Sequence, residues 1–320
     1  MFLRNLRQED LIECLEIQPS RMGTELVGRS EALRAWNELI RSRSFNCIVL
    51  EADLVAHGRR IVGFGASAFV SPAFASDELA NPRPGLNSRI IASIVNGKPV
   101  VLSEAELRFA NTAGDLDLVI LYGSFENCLL SEDERSDGFT MMGASFLEQH
   151  LGYRISQMIN EVVDDVEKYY NDRTHAWREI STYAEFWEVN PASTWDRRRA
   201  LHLISRNYFS RNGVMIDLLF LRRTPVLELR DADQQLLAAA LGGSTDEELA
   251  CRLTQNLSTI KKRWASLFER TLERRPDLFP DVSTDSGPTR GKQKRHHLLA
   301  YVRAHPEELR PHEAASRAKE

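Results

Sequence analysis

A short run of basic and hydroxyl residues carries the clearest chemistry in this sequence. Lys261, Lys262 and Arg263 follow Ser258 and Thr259 within a few positions. Lysine and arginine side chains attract phosphate groups, and short polar side chains reach base edges in the major groove of DNA. On a helix, this spacing places all five residues near one end. The cluster therefore predicts a surface that binds double-stranded DNA.

Two helices preceding the cluster are marked by caps and breakers. The first is predicted to begin near Asp231, whose carboxylate caps it while Gln234 reaches back. The glycines at 242–243 end it, because glycine adopts the left-handed conformation of a helix C-terminus without penalty. Thr245 and Glu248 have the spacing of a capping box, which predicts that the second helix begins there.

The third helix carries the basic cluster itself. Asn256 or Ser258 is expected to cap it, and its apolar residues repeat at helical spacing. They are Ile260, Trp264, Leu267 and Phe268. Two short helices joined by a tight turn, the second with a basic N-terminal half, are typical of a helix-turn-helix. A three-helix packing unit with ordinary surface lysines is the alternative.

The segment 229–271 resembles the LuxR/GerE-type DNA-binding domain. The glycine pair, the block DEELACRL and the block STIKKR fall in register with that family, whereas Arg230, Ser244, Arg263 and Thr271 depart from it. The resemblance implies a homodimer on inverted half-sites and a first domain that senses a small-molecule effector or a partner. The residues expected to contact DNA are Thr245, Arg252, Asn256, Ser258, Thr259, Lys261, Lys262 and Arg263.

Composition restricts where such a site can lie. The chain has 320 residues and a formal net charge of -5, so nucleic-acid binding has to come from a local basic patch. No apolar run approaches membrane-spanning length, which predicts a cytoplasmic protein. The scattered cysteines and histidines show no metal-ligand spacing, so neither a metal nor a cofactor is expected. The cysteines, expected to be reduced and buried, are Cys14, Cys47, Cys128 and Cys251.

The first part of the chain alternates strand and helix patterns. Apolar segments at 45–50, 61–70 and 116–122 predict strands, and amphipathic segments lie between them. One further helix is predicted from Thr194 to Tyr208, with Arg197 to Arg199 on its exposed side. We therefore expect an α+β protein: a mixed α/β sensor-like domain at 1–224, an all-α LuxR-type helix-turn-helix domain at 225–280, and a basic linker and helical tail at 281–320.

The order of elements in residues 2–153 is loosely similar to the GNAT acetyltransferase fold, and a PAS- or GAF-like shell is the other candidate. The GNAT resemblance implies a loop whose amides bind the pyrophosphate of coenzyme A. Its nearest match is the segment Arg135 to Thr140, but Glu132, Asp133, Glu134 and Asp137 surround it. Negative charge there is unfavourable for a pyrophosphate, which predicts an ordinary surface loop.

The basic run from Arg290 to Arg295 in the tail has two interpretations. It is either an arm that adds phosphate contacts or part of a helix packed back on the first domain. Taken together, the sequence favours a sequence-specific transcriptional regulator without enzymatic activity. The alternative is a GNAT-like acetyltransferase fused to a helix-turn-helix domain, and a protein-interaction module is the third possibility.

Overall fold

A computed structural model describes residues 1–17, 22–54, 58–125, 130–162, 177–208, 215–279 and 289–313. The chain forms two compact units. One comprises Met1–His150 and Arg154–Phe220, and the other comprises Leu151–Tyr153 and Leu221–Glu320. None of the helices in the described ranges is long and apolar enough to cross a membrane.

A mixed sheet forms the centre of the first unit. Within the described residues it has seven strands in the order β1-β2-β3-β4-β5-β7-β6. The strands are β1 (Phe2–Asn5), β2 (Phe45–Leu54), β3 (Gly58–Val70), β4 (Leu116–Phe125), β5 (Ile155–Val162), β6 (Arg178–Ser181) and β7 (Ala200–Ser205). All neighbouring strands are antiparallel except β4 and β5, which are parallel. The predicted mixed α/β character of this part is confirmed.

Helices cover both faces of the sheet. They are α1 (Leu11–Ile17), α2 (Arg29–Leu39), α3 (Pro72–Ala80), α4 (Leu86–Val95), α5 (Glu104–Ala113), α6 (Glu132–His150) and α7 (Ala184–Val189). Because side chains alternate along a strand, β2 contributes Val49 to one core and Ile48 and Leu50 to the other. Trp36 of α2 packs in the first core, and Met142 of α6 packs in the second.

The segment from Thr194 to Tyr208 differs from its predicted helix. Its central part is β7, in which all six residues from Ala200 to Ser205 are buried. A strand that is buried on both faces has no polar alternation, so periodicity alone cannot separate it from a buried helix. The strand also changes the surroundings of Arg199, which is 7 % exposed rather than on a solvated face.

The second unit contains four described helices around one apolar core. They are α8 (Asp231–Leu241), α9 (Asp246–Arg252), α10 (Leu257–Arg274) and α11 (Thr289–Ala304). The capping box of Thr245 and Glu248 is confirmed, because Thr245 N donates to Glu248 at 2.7 Å and Glu248 N donates to Thr245 at 3.2 Å. The predicted cap of α8 is wrong by one residue, since Arg230 is the N-cap and its N–H donates to Asp233.

The tail helix α11 belongs to the same core. Leu298 and Val302 are fully buried with the apolar residues of α8 and α10. Arg295, expected in a basic arm or in a helix on the first domain, donates to Asp246 at 2.8 Å and lies 4.8 Å from the ring centre of Trp264. Its guanidinium therefore takes part in packing and pairing inside this unit.

The cysteines differ from the expectation in one case. Cys14 and Cys47 are buried, and burial raises the pKa of Cys14 to about 12, so this thiol is unreactive at neutral pH. Cys251 is exposed, because α9 presents this position to solvent rather than to the core. Cys128 lies outside the described residues.

Candidate functional site

The parallel pair of β4 and β5 opens in the middle of the sheet. Its ladder runs from Leu116 to Ile120 on β4, and Ile120 lies opposite Asn160 of β5. Beyond that point β4 continues to Phe125 and β5 continues to Val162. Within the described part of the chain, no further partners join the two strands. The two strands therefore form a fork that opens at their carboxyl ends, where ligands bind in open α/β sheets.

A β-bulge coincides with the opening of this fork. On β3, Ala66 lies opposite Tyr122 and the next residue, Ser67, lies opposite Ile120, which leaves Leu121 without a directly opposed residue. Bulges redirect a strand and are frequent beside active sites. The side-chain amide of Asn87 on α4 donates to the Leu121 carbonyl oxygen. The bulge is thus held from the face of the sheet on which α4 packs.

The first turn of α4 is fixed by a carboxylate on β5. Glu161 follows the last paired residue of the parallel ladder and is 2 % exposed. Its carboxylate accepts from the backbone amides of Gly85 at 2.7 Å and Leu86 at 3.2 Å. Gly85 has a φ of 89°, which favours glycine, and it starts the helix beside the fork. Negative charge at a helix N-terminus is also electrostatically favourable.

Two more donors complete the environment of Glu161. Tyr183 donates its hydroxyl at 2.9 Å, and Arg199 donates from Nη1 at 3.0 Å. Burial and the nearby Glu161 charge raise the pKa of Tyr183 well above its usual range. Tyr183 therefore remains protonated and acts as a hydrogen-bond donor. The guanidinium of Arg199 lies 4.5 Å from the ring centre of Trp195.

Glu25, in the loop before α2, is a second carboxylate that pairs with Arg199. Glu25 accepts from Arg199 Nη2 at 2.8 Å and from the Ser88 hydroxyl at 3.0 Å. Its side chain is 25 % exposed, so solvent or a ligand can reach it, unlike Glu161. Burial raises the pKa of Glu25, while the charge of Arg199 opposes that rise. Glu25 is thus an accessible carboxylate with increased basicity, connected through Ser88 and Asn87 to the bulge.

The nearest match to a pyrophosphate loop does not form a loop. The segment Arg135 to Thr140 lies inside α6, which begins at Glu132. Ser131 and Glu134 satisfy the start of that helix reciprocally: Ser131 N donates to Glu134 at 2.8 Å, and Glu134 N donates to the Ser131 hydroxyl at 3.3 Å. These amides already have carboxylate and hydroxyl partners, so this helix start does not fit a pyrophosphate. Residues 126–129 lie outside the described residues.

The residues predicted to contact DNA lie in the second unit. Lys261 and Lys262 are exposed near the N-terminal end of α10, as is Arg252 at the end of α9, and Arg263 is partly buried. The side chain of Asn256 accepts from Thr259 N at 2.7 Å and from the hydroxyls of Ser258 and Thr259. Thr245 caps α9. The structure thus brings the basic side chains onto neighbouring helix ends, and their contact with DNA, like the LuxR-type assignment and the homodimer, stays a prediction.

The residues at the fork carry little signal in the sequence. Glu161 is the only acid in β5, but this strand also contains Ser156, Gln157 and Asn160, so one more polar residue does not stand out. Asn87 and Glu25 belong to no motif. The partners of Glu161 come from separate elements, so the sequence does not reveal them.

No family model and no curated protein matches this sequence. Three solved structures are similar to part of this chain. FeeM, an N-acyl amino acid synthase from uncultured soil microbes, has 11% identity and a TM-score of 0.35, with 65% of this chain and 97% of that chain covered. Aminoglycoside 6'-acetyltransferase type Ii has 11% identity, a TM-score of 0.33 and coverages of 64% and 97%. Spermidine N-acetyltransferase SpeG from Vibrio cholerae has 10% identity, a TM-score of 0.34 and coverages of 67% and 100%.

These findings correct the functional expectation. The similar structures are acyl-transferring enzymes, which contradicts a transcriptional regulator without enzymatic activity as the main function. DNA binding and transcription regulation are therefore not supported as the main function of the protein. The physical reason for the error is that the strongest local motif lies in the second unit, whereas the fork is formed by tertiary contacts.

Proposed function

We propose that the first unit is an acyltransferase that moves an acyl group from a thioester to an amine. One observation carries the proposal: the β4–β5 ladder ends at Ile120 beside the bulge at Leu121, with an accessible carboxylate connected to the same place. The resemblance of the first part of the sequence to acetyltransferases supports the same reaction class.

The fork suits the arm of a thioester donor. Past Ile120, the edge of β4 that faces β5 has no β5 partner among the described residues. An extended chain that contains amides can add to such an edge as a further strand, and its main-chain hydrogen bonds supply affinity. Coenzyme A and acyl carrier proteins both present their acyl group on an extended arm with two amides. The donor is therefore defined here by its pantetheine arm and not by a nucleotide.

The acceptor side is built around Glu25. When an amine attacks the thioester carbonyl carbon, the new C–N bond forms, the C–S bond breaks and the amine loses a proton. Glu25 is placed to accept that proton, and the thiol leaves with a proton from solvent. General base catalysis is most effective when the pKa of the base lies near the working pH, and burial moves the pKa of Glu25 in that direction. Arg199 and Ser88 hold its two oxygens in place.

The test replaces Glu25 with glutamine and measures thiol release from acetyl-coenzyme A and acetyl-pantetheine in the presence of a panel of primary amines. Loss of the base is expected to reduce kcat/KM by a factor of about 10² to 10⁴. Glu16→Gln is the matched control, because Glu16 is an exposed glutamate of α1 outside the site. Equal activity of E25Q and E16Q would exclude Glu25 as the base.

A further inference from the structure

An apolar cavity lies between α6 and the sheet, on the face opposite Glu25. Its volume is about 170 Å³. Its apolar walls come from strands β2 and β4 and from α6, and include Ile48, Ile120, Phe125, Met142 and Phe146. A cavity of about 150 Å³ with such walls stays dry and binds benzene in another protein. This cavity therefore has room for roughly six carbon atoms.

Glycines create the space. Gly65 of β3 and Gly123 of β4 are direct cross-strand partners, and both line the cavity floor. Gly143 of α6 lines the opposite wall. A Cβ atom added at Gly123 or Gly143 would meet nothing within 4 Å, so the space above these backbones is open. Glycine weakens a strand interior, and its presence there often marks the close approach of a ligand.

At Gly138, about one and a half helical turns before Gly143, α6 packs closely against the sheet. A Cβ atom at Gly138 would lie 2.8 Å from Leu50 and 3.0 Å from Phe125. Five residues along a helix correspond to about 7.5 Å of rise. The contact at Gly138 fixes the first half of α6 against the sheet, and the cavity opens further along the same helix. The space is therefore defined by a packed helix and not by a loose one.

The polar groups of the wall are gathered around one histidine. His150 Nδ1 donates to the Phe146 carbonyl oxygen at 2.7 Å, since a carbonyl oxygen only accepts. His150 Nε2 lies 2.9 Å from Ser67 Oγ and 3.4 Å from Asn46 Nδ2. Asn46 lies opposite Ser67 in the β2–β3 ladder, and Gln149 precedes His150 in the chain. Apart from Asn46, Ser67 and Gln149, the side chains that line the cavity are apolar.

The cavity reaches the fork through shared residues. Ile120 is both the last β4 residue paired with β5 and part of the cavity wall. Ser67, opposite Ile120 at the bulge, also lines the cavity. An acyl group attached to an arm in the fork would therefore begin beside Ile120.

We propose that this cavity binds the hydrocarbon chain of the acyl donor and selects straight acyl chains of about six carbons over acetyl. The inference rests on the acyltransferase function proposed above, and it specifies the substrate class of that site. Each methylene that the cavity accepts is worth about 0.8 kcal/mol, which corresponds to a factor of about four in affinity. Chains longer than the cavity should gain no more.

The first experiment needs no turnover and uses straight-chain primary alcohols from butanol to decanol as probes. Binding to the full chain is measured by calorimetry for the wild type and for G143L, G123V and G291L. Leucine at 143 or valine at 123 fills the space from opposite walls, and neither glycine has a positive φ. Gly291 is an exposed helical glycine of the second unit whose added Cβ also meets nothing, so G291L is the matched control.

We expect affinity to rise about fourfold per methylene up to roughly hexanol in the wild type and G291L, and to fall at least tenfold in G143L and G123V. Equal affinity in all four proteins would show that the alcohols do not bind in this cavity. The second experiment compares acetyl, butanoyl, hexanoyl and decanoyl pantetheine thioesters in the thiol-release assay. An activity that is flat or highest for acetyl would overturn the acyl assignment. If alcohols bind as expected but no thioester reacts, the proposed function fails while the hydrocarbon pocket stands.

Discussion

Asp117 shows what burial does to a single carboxyl group in this protein. It lies on β4 near the start of the parallel ladder, is 6 % exposed and accepts a hydrogen bond from the side chain of Gln157. Burial raises the pKa of Asp117 from its ordinary 3.8 to about 6, while the bond from Gln157 opposes that rise. The folded state therefore binds the proton more tightly than the unfolded state does.

The Asp117→Asn variant tests this effect. Since the folded pKa is raised, the stability that the protonated group contributes is present below pH 3.8 and is lost as pH rises through about 6. Asparagine carries no charge, so the variant should gain up to about 3 kcal/mol relative to the wild type between pH 4 and pH 8. The measurement is the free energy of unfolding in urea at both pH values, with the exposed Asp53→Asn as control. An equal difference at the two pH values would show that Asp117 does not titrate this way.

At the residue scale, caps are partly predictable from the sequence, whereas the site is not. Thr245 is identifiable because a cap bonds to backbone three residues away, so both partners lie within one short segment. Asn256 is the cap of α10, for which Asn256 and Ser258 were both candidates, and the predicted cap of α8 is displaced by one residue. Glu25 and Arg199 are separated by 174 positions, and nothing local brings them together. A helix cap can be predicted from neighbouring residues, whereas the Glu25–Arg199 ion pair forms only when the sheet has assembled.

The contact between α4 and β5 is the element-scale feature on which the fork depends. Glu161 alone receives four hydrogen bonds, two from the first amides of α4 and one each from Tyr183 and Arg199. The same helix turn supplies Asn87 to the bulge and Ser88 to Glu25. Displacement of α4 would therefore disturb the bulge and the proposed base together.

Glu161→Gln should loosen this element. The amide removes the charge that balances Arg199 and places an N–H₂ group among donors, and breaking a buried pair costs about 3 to 5 kcal/mol. We expect a loss of about 3 kcal/mol in the free energy of unfolding. Faster hydrogen exchange should be confined to the amides at the start of α4. Glu188→Gln, an exposed glutamate of α7, serves as the control. If E161Q leaves the free energy of unfolding and the amide hydrogen exchange unchanged, Glu161 does not position α4.

Two elements show where periodicity succeeds and fails. The apolar segment 116–122 correctly predicts β4, the strand at the centre of the sheet, which continues to Phe125. In contrast, β7 was predicted as a helix, since all six of its residues are buried and its pattern has no period. Because this segment was expected to be a helix, Arg199 was placed on the surface. Its pairing with Glu25 and Glu161 was therefore not predicted.

At the scale of the whole molecule, each unit has its own core. The seven-stranded sheet and its helices enclose two apolar clusters, and the four described helices of the second unit enclose another. The mixed α/β nature of the first part followed from alternating patterns. The fork could not be predicted in this way, because strand order and register are set by pairing between residues that are far apart in the sequence.

If the first unit transfers acyl groups at the fork between β4 and β5, one assay of the full chain should show both products of the reaction. The most direct measurement incubates the full chain with hexanoyl-pantetheine and a mixture of primary amines, and quantifies free thiol and acylated amine by mass spectrometry. We expect one molecule of N-hexanoyl product for each thiol released, at a rate that E25Q lowers by about 10² or more. Thiol release without acylated amine, or no release with either pantetheine or coenzyme A thioesters, would contradict this expectation.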